Sequence, residues 1–139
     1  MTIQELNEFR TMRSEIIAMD KQIDDLCRLQ TGAGNKIGAG RVSARDPTSP
    51  TERNALKITE IRERLEAKKE VLIDRYKDIE EWLDTVADDE VRKIVRYRVL
   101  LGYSWRATNR AVYGRPDHQY SYHRLRRYIE NNNVVDDVE

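Results

Sequence analysis

Two stretches of this chain place an apolar residue at every seventh position, and that spacing restricts the fold more than any other feature. Phe9, Ile16 and Ile23 repeat in this way, and Met12, Met19 and Leu26 follow in step three positions later. Ile58, Leu65, Leu72, Ile79 and Val86 form the second series, with Ile61 and Trp82 as companions and Lys68 and Arg75 between them. A strand alternates with period two and cannot use such a pattern, whereas an α-helix lays it down as one stripe against a second helix. Leu6 and Ile17 widen the first stripe, and Tyr76 and Leu83 the second. The first series predicts a helix over Ile3–Leu29, roughly 40 Å long at ~1.5 Å per residue. With 39% of residues apolar and 36% charged, the chain suits long helices with wet faces better than a thick core.

Between the stripes, residues 30–49 hold four of the six glycines together with Pro47, which predicts a flexible linker. Gly32-Ala33-Gly34 lacks the lysine and hydroxyl residue that a phosphate loop needs. Ser49 and Glu52 form a capping box, with Pro50 at the first helical position. The fold class is therefore all-α, with a helical hairpin or coiled-coil arm over 1–87, the stripes pairing within one chain or between two. The self-associating form would be a homodimer or a higher homo-oligomer. Its seam would be Phe9, Met12, Ile16, Met19, Ile23, Leu26, Ile58, Leu65, Leu72 and Ile79.

A formal net charge of zero hides a strong asymmetry. Between Val91 and Arg127 stand ten Lys or Arg residues against the single acid Asp117, with acidic stretches on both sides. The same segment reads as a helix-turn-helix over 88–131. Asp88 or Asp89 caps a helix that buries Val91, Ile94, Val95 and Leu101, and Gly102 ends it with a left-handed residue. Ser104 caps a short helix, WRATNRAVY, with Trp105 and Val112 turned inward. Gly114 turns the chain, and Arg115-Pro116-Asp117 forms a loop. Ser121 caps a last helix, YHRLRRYIE, with Leu125 and Ile129 inward; the three asparagines after Glu130 end it, leaving an acidic tail over 132–139.

A basic block on such a motif is the footprint of a polyanion reader, and duplex DNA is the partner it suggests. His123, Arg124 and Arg127 lie away from the apolar face of the last helix, where they would reach base edges in the major groove. Arg106, Arg115, Ser121 and Arg126 are placed for phosphates, with Tyr122 beside them.

Other classes find little support. No run of apolar residues is long enough to span a membrane, and the N-terminus lacks an apolar signal core. A lone Cys27 builds no disulfide framework, which points to a reducing cytoplasm. His118 and His123 are five apart and fall on different helical faces, so they form no metal pair. The carboxylates show no acid/base spacing. The expectation is a protein without enzymatic activity, metal or cofactor.

The segment from Asp89 to Ile129 resembles the C-terminal helix-turn-helix of bacterial sigma factors. It looks closer still to the RinA- and ArpU-like late-transcription regulators of phages and prophages. Arg92-Lys93-Ile94-Val95, Arg98, Gly102-Tyr103-Ser104-Trp105 and Ser121-Tyr122-His123-Arg124-Leu125 carry the likeness. Asn109, where that family has an alanine, and an insertion from Arg115 to Tyr120 depart from it. The resemblance implies sequence-specific DNA binding and control of transcription in a bacterial host cell, with RNA polymerase as a further partner. The alternatives are a small terminase-like packaging subunit and an adaptor that contacts polymerase rather than DNA.

Overall fold

A computed structural model of the chain describes residues 1–36, 50–115 and 119–138, with side chains described over 1–29, 52–115 and 119–133. The elements are α1 (Ile3–Lys36), α2 (Pro50–Thr85), α3 (Asp89–Val95) running on into a wider π turn (Arg96–Leu100), α4 (Trp105–Tyr113) and α5 (Tyr120–Val138). The fold is all-α, and no strand occurs among the described residues.

Three boundaries differ from the sequence reading. Helix α1 continues seven residues past Leu29 to Lys36; the glycines at 32 and 34 weaken a helix by about 1 kcal/mol each but keep the N–H that a proline lacks. The rest of the expected linker, 37–49, lies outside the described residues, as does the Ser49 cap; Pro50 is the first residue of α2. Helix α5 begins at Tyr120 and runs through Asn131–Asn133 to Val138, because asparagine is a poor helix former that does not block the next hydrogen bond. The expected tail over 132–138 is therefore helical, and Glu139 is outside the described residues. Helix α1 also opens on a capping box that the spacing Thr2-x-x-Glu5 encodes: Thr2 Oγ1 accepts from the Glu5 N–H at 3.1 Å, and the Thr2 N–H donates to Glu5 Oε2 at 2.8 Å.

The chain forms two compact units, Glu15–Val71 and Met1–Ser14 with Leu72–Glu139. In the first, α1 and α2 run antiparallel within one chain. Lys68 Nζ lies 3.3 Å from Glu15 and Lys69 Nζ 3.7 Å from Asp20, while the Arg62 guanidinium donates to Cys27 Sγ at 3.6 Å. Ile16, Ile23, Ile58 and Leu65 are buried between the helices, and Met19, Leu26 and Ile61 are half-buried. Lys68, which interrupts the apolar series in the sequence, stands where an acid of α1 meets it. Ile17 does not widen the stripe; it is 51% exposed.

The second unit is larger than residues 88–131. Leu6 and Phe9 of α1, Ile79 and Leu83 of α2 and Val86 just after it share one core with Val91, Ile94, Val95, Val99, Leu100, Leu125 and Ile129. Phe9 meets Tyr76 with ring centroids 6.3 Å apart. So of the ten residues expected at an oligomer seam, Phe9, Ile16, Ile23, Ile58, Leu65 and Ile79 are already buried within their own chain. Met12, Met19, Leu26 and Leu72 are half-buried there. Of the two pairings that the spacing allows, the helices adopt the one within a chain.

Helix α3 departs from the expected register. The Leu101 N–H bonds to the Arg96 carbonyl at 2.9 Å, five residues back. A π turn takes up one extra residue and shifts the inward face forward by about one position. Val99 and Leu100 are thereby buried, and Leu101, expected inside, is 49% exposed.

Candidate nucleic-acid interface

The site is assembled around one carboxylate. Asp88 is extended at the N-terminus of α3, and its Oδ1 accepts from the N–H groups of Glu90 and Val91 at 3.0 and 3.3 Å. Its other oxygen receives a hydrogen bond from Arg124 Nη2 at 2.6 Å. Glu90 adds a second acid, 3.3 Å from Arg124 Nε though out of line for a hydrogen bond. It also accepts from the Tyr113 hydroxyl at 3.2 Å. Burial first, then the Glu90 charge and hydrogen bond, push the Tyr113 phenol up to about 12. Arg124 thus ties α5 to the capped end of α3, and Tyr113 ties α4 to the same point. The sequence reading had Arg124 reaching toward bases; the fold holds it half-buried against two acids.

Other cations of the basic block are also committed. Arg92 and Lys93 pair with Asp89 at 3.1 and 3.3 Å, and Lys93 above all holds the Asp89 carboxyl below its usual range. Arg96 reaches Glu80 with two hydrogen bonds at 3.0 and 3.4 Å. Arg98 donates to the Tyr103 carbonyl at 3.0 Å and lies 4.3 Å over the Trp105 ring. Burial, and then the charge of Arg10, lower the Arg98 guanidinium to about 10. Arg126 bonds to Glu130 at 2.8 Å and to the Tyr122 hydroxyl at 3.4 Å.

What remains is Arg106 and Arg110 on α4, Arg115 after it, and Arg127 on α5; all four are exposed and have no hydrogen-bond or ion-pair partner among the described residues. Arg106 and Arg110 are one helical turn apart on one face, opposite buried Thr108 and half-buried Val112. Arg127 shares the outward face of α5 with exposed His123, whose Nε2 is 3.4 Å from Gln119 Oε1. Leu125 and Ile129 are buried on the opposite side, as their spacing requires. Arg110 went unrecognised in the sequence, although its spacing from Arg106 marks it.

Local signals fix these helices. Ser104 Oγ accepts from the Ala107 N–H at 3.1 Å to start α4, and Gly114, left-handed at φ 73°, ends it. Gly102, at φ 78°, ends the preceding segment, where the Tyr103 N–H reaches back to the Tyr97 carbonyl at 2.9 Å. Ser121 is the correction among the phosphate candidates. It is fully buried inside the first turn of α5, and its N–H (3.0 Å) and its hydroxyl both bond to Asn109 Oδ1. Its hydroxyl has no path to a phosphate. Tyr122 is half-buried, packed edge-on to Trp105 with centroids 5.4 Å apart. Asn109, the departure from alanine noted above, is therefore the residue that docks α4 onto α5.

Among the described residues no group of His, Cys, Asp and Glu is placed to hold a metal ion, and no helix is long and apolar enough to cross a membrane. Comparison of the chain with protein-family models, with curated proteins and with solved structures finds no match.

Proposed function

We propose that this protein binds duplex DNA through α4 and α5 and regulates transcription in the manner of the phage and prophage regulators its C-terminal segment resembles. One observation carries the reading: within the basic block, the arginines with no hydrogen-bond, ion-pair or ring partner among the described residues all belong to α4, the residue pair just beyond it, and the outward face of α5. An α-helix fits the major groove, and an arginine on its outward face makes the commonest base contact, to guanine. Arg127, with His123 one turn before it, is assigned that role. Arg106, Arg110 and Arg115 carry the phosphate contacts that set orientation without reading sequence.

Fluorescence anisotropy on a pool of random duplexes, at low and at high salt, tests the reading. Retardation or anisotropy that weakens steeply with salt is expected. Arg127→Ala should flatten the preference among sequences selected from the pool, by about 1–3 kcal/mol at one base position. Lys93→Ala, which removes a cation already paired with Asp89, should leave that preference intact. No salt-sensitive binding to any duplex would overturn the proposal.

A further inference from the structure

A cleft of about 170 Å³ opens between the first turns of α1, the π turn, α4 and α5. Leu6, Val99 and Leu125 line it with the rings of Trp105 and Tyr122 and the side chain of Arg98. Small-molecule sites run to ~300 Å³ or more, so this cleft is the size for one apolar side chain. Beside it three arginines lie close together. Arg98 donates to the Tyr103 carbonyl and lies over Trp105. Arg10 is near enough for its charge to lower the Arg98 guanidinium. Arg13 reaches the turn before α4, its guanidinium occupying the space that a Cβ on Gly102 would need. Arg10 and Arg13 are half-buried and have no hydrogen-bond or ion-pair partner among the described residues. The acids of the same helical turns are engaged elsewhere, Glu5 accepting from Thr2 and Glu8 from Gln4. Like charges held together repel, and no acid among the described residues is paired with these three. On either side of Gly102, Leu101 and Tyr103 stand exposed.

We propose that this cleft docks an acidic segment of a partner protein, with one apolar side chain entering beside Trp105 and flanking carboxylates meeting Arg10, Arg13 and Arg98. The apolar cleft favours a protein over a nucleic acid, because a phosphate backbone has no apolar side chain to fill it. Tryptophan, tyrosine and arginine are also the residues that dominate protein–protein contacts. The surface uses none of the four arginines assigned to DNA, so it does not depend on that reading.

The test uses the full chain, immobilised, to select from a pool of short random peptides; the enriched sequence is then synthesised and titrated into ¹⁵N-labelled protein. Enrichment of Asp and Glu around a Leu, Ile or Phe is expected. Saturable shifts should appear at the Trp105 indole N–H and the Tyr103 amide, while the Trp82 indole, which lines a different cleft, stays put. Replacing the apolar residue of the peptide by Ala should weaken binding about tenfold or more. Replacing its acids by Gln should weaken it about fivefold. Arg10→Gln with Arg13→Gln should cost the acidic peptide about as much and the glutamine peptide nothing, a coupling that a merely structural role would not produce. Should that variant fail to fold, the two peptide replacements, which leave the protein untouched, still decide. No enrichment, enrichment without acids, or shifts that miss Trp105 would overturn the proposal. So would a fall of about 0.9 in the log–log salt slope of duplex binding on Arg10→Gln, which would give the cluster to a DNA phosphate. Were wild type to bind the peptide and no duplex, the DNA reading alone would fall.

Discussion

Asp88 performs two tasks with its two oxygens, and a double-mutant cycle can separate them. Asp88→Ala removes an N-cap, typically worth about 1 kcal/mol, and the acid that holds Arg124. The second loss is bounded from both sides. An exposed ion pair gives ~0.2–1 kcal/mol, and a well-made hydrogen bond between charged groups roughly 1.5–3 kcal/mol. The Arg124 and Asp88 side chains are 39% and 25% exposed and meet at 2.6 Å, which places this contact near ~1 kcal/mol. Asp88→Ala should therefore cost about 2 kcal/mol, and Asp88→Ser, which keeps a capping oxygen, about half of that. Arg124→Ala in the Asp88→Ser background should then cost about 1 kcal/mol less than it does alone. Urea unfolding followed by tryptophan fluorescence reads this, since Trp82 and Trp105 both lie in the unit that holds the contact. A coupling below ~0.3 kcal/mol would show that the two groups do not stabilise each other. A rise in DNA affinity on Asp88→Ser would show instead that Arg124 is a base reader restrained by its acid.

Three further outcomes follow from the packing. Gly102→Ala and Gly114→Ala should each cost about 1–2 kcal/mol, because both are left-handed; the new Cβ at Gly102 also meets the Arg13 guanidinium, the movable end of a long side chain, so the two variants should lower the denaturation midpoint alike. Tyr113 should ionise near pH 12 in an ultraviolet absorbance titration. Burial first, and then its contact with Glu90, favour the neutral phenol in the fold, so that this stabilisation is full below pH 10.0 and is lost as pH climbs toward about 12; Tyr113→Phe should remove the step near pH 12. Leu65→Ala should destabilise by about 2–5 kcal/mol with a midpoint independent of protein concentration, whereas a midpoint that moves with concentration would put the seam between two chains.

Much of this architecture is written in local chemistry that a sequence displays. The seven-residue series name the helices, Asp88 and Ser104 start two of them, and Gly102 and Gly114 stop two. What stayed hidden depends on residues that are distant in sequence. Nothing near Arg124 announces that Asp88, thirty-six positions earlier, will hold it, nor that Glu80 will hold Arg96. Ser121 was misleading for a physical reason: a small hydroxyl residue before an apolar spacing is the usual mark of a cap, and the same smallness lets it be buried where Asn109 can bond it. The π turn was equally unreadable, because no single residue in RYRVL demands it; only the burial of both Val99 and Leu100 against α1, α2 and α5 does.

The pairing of the basic block changes what a polyanion would meet. By count, ten cations stand against one acid between Val91 and Arg127, and ten phosphate contacts would give a log–log salt slope of ~9. The fold brings Glu80, Asp88, Asp89, Glu90 and Glu130 onto Arg92, Lys93, Arg96, Arg124 and Arg126, and stacks Arg98 on Trp105. Even if every remaining arginine, Arg127 included, neutralised a phosphate, the slope would reach only ~3.6. The two values are far enough apart for one salt titration to choose between them. A slope near ~9 would mean that DNA strips the acids from α3 and α5, so that the ion pairs are a resting state which binding dismantles. A slope at or below ~3.6 would mean that they persist, with the acids confining attraction to α4 and α5 and denying it to the rest of the surface. The short distances at Asp88 and Glu130, and the capping bonds that Asp88 must give up if it moves, favour the second outcome.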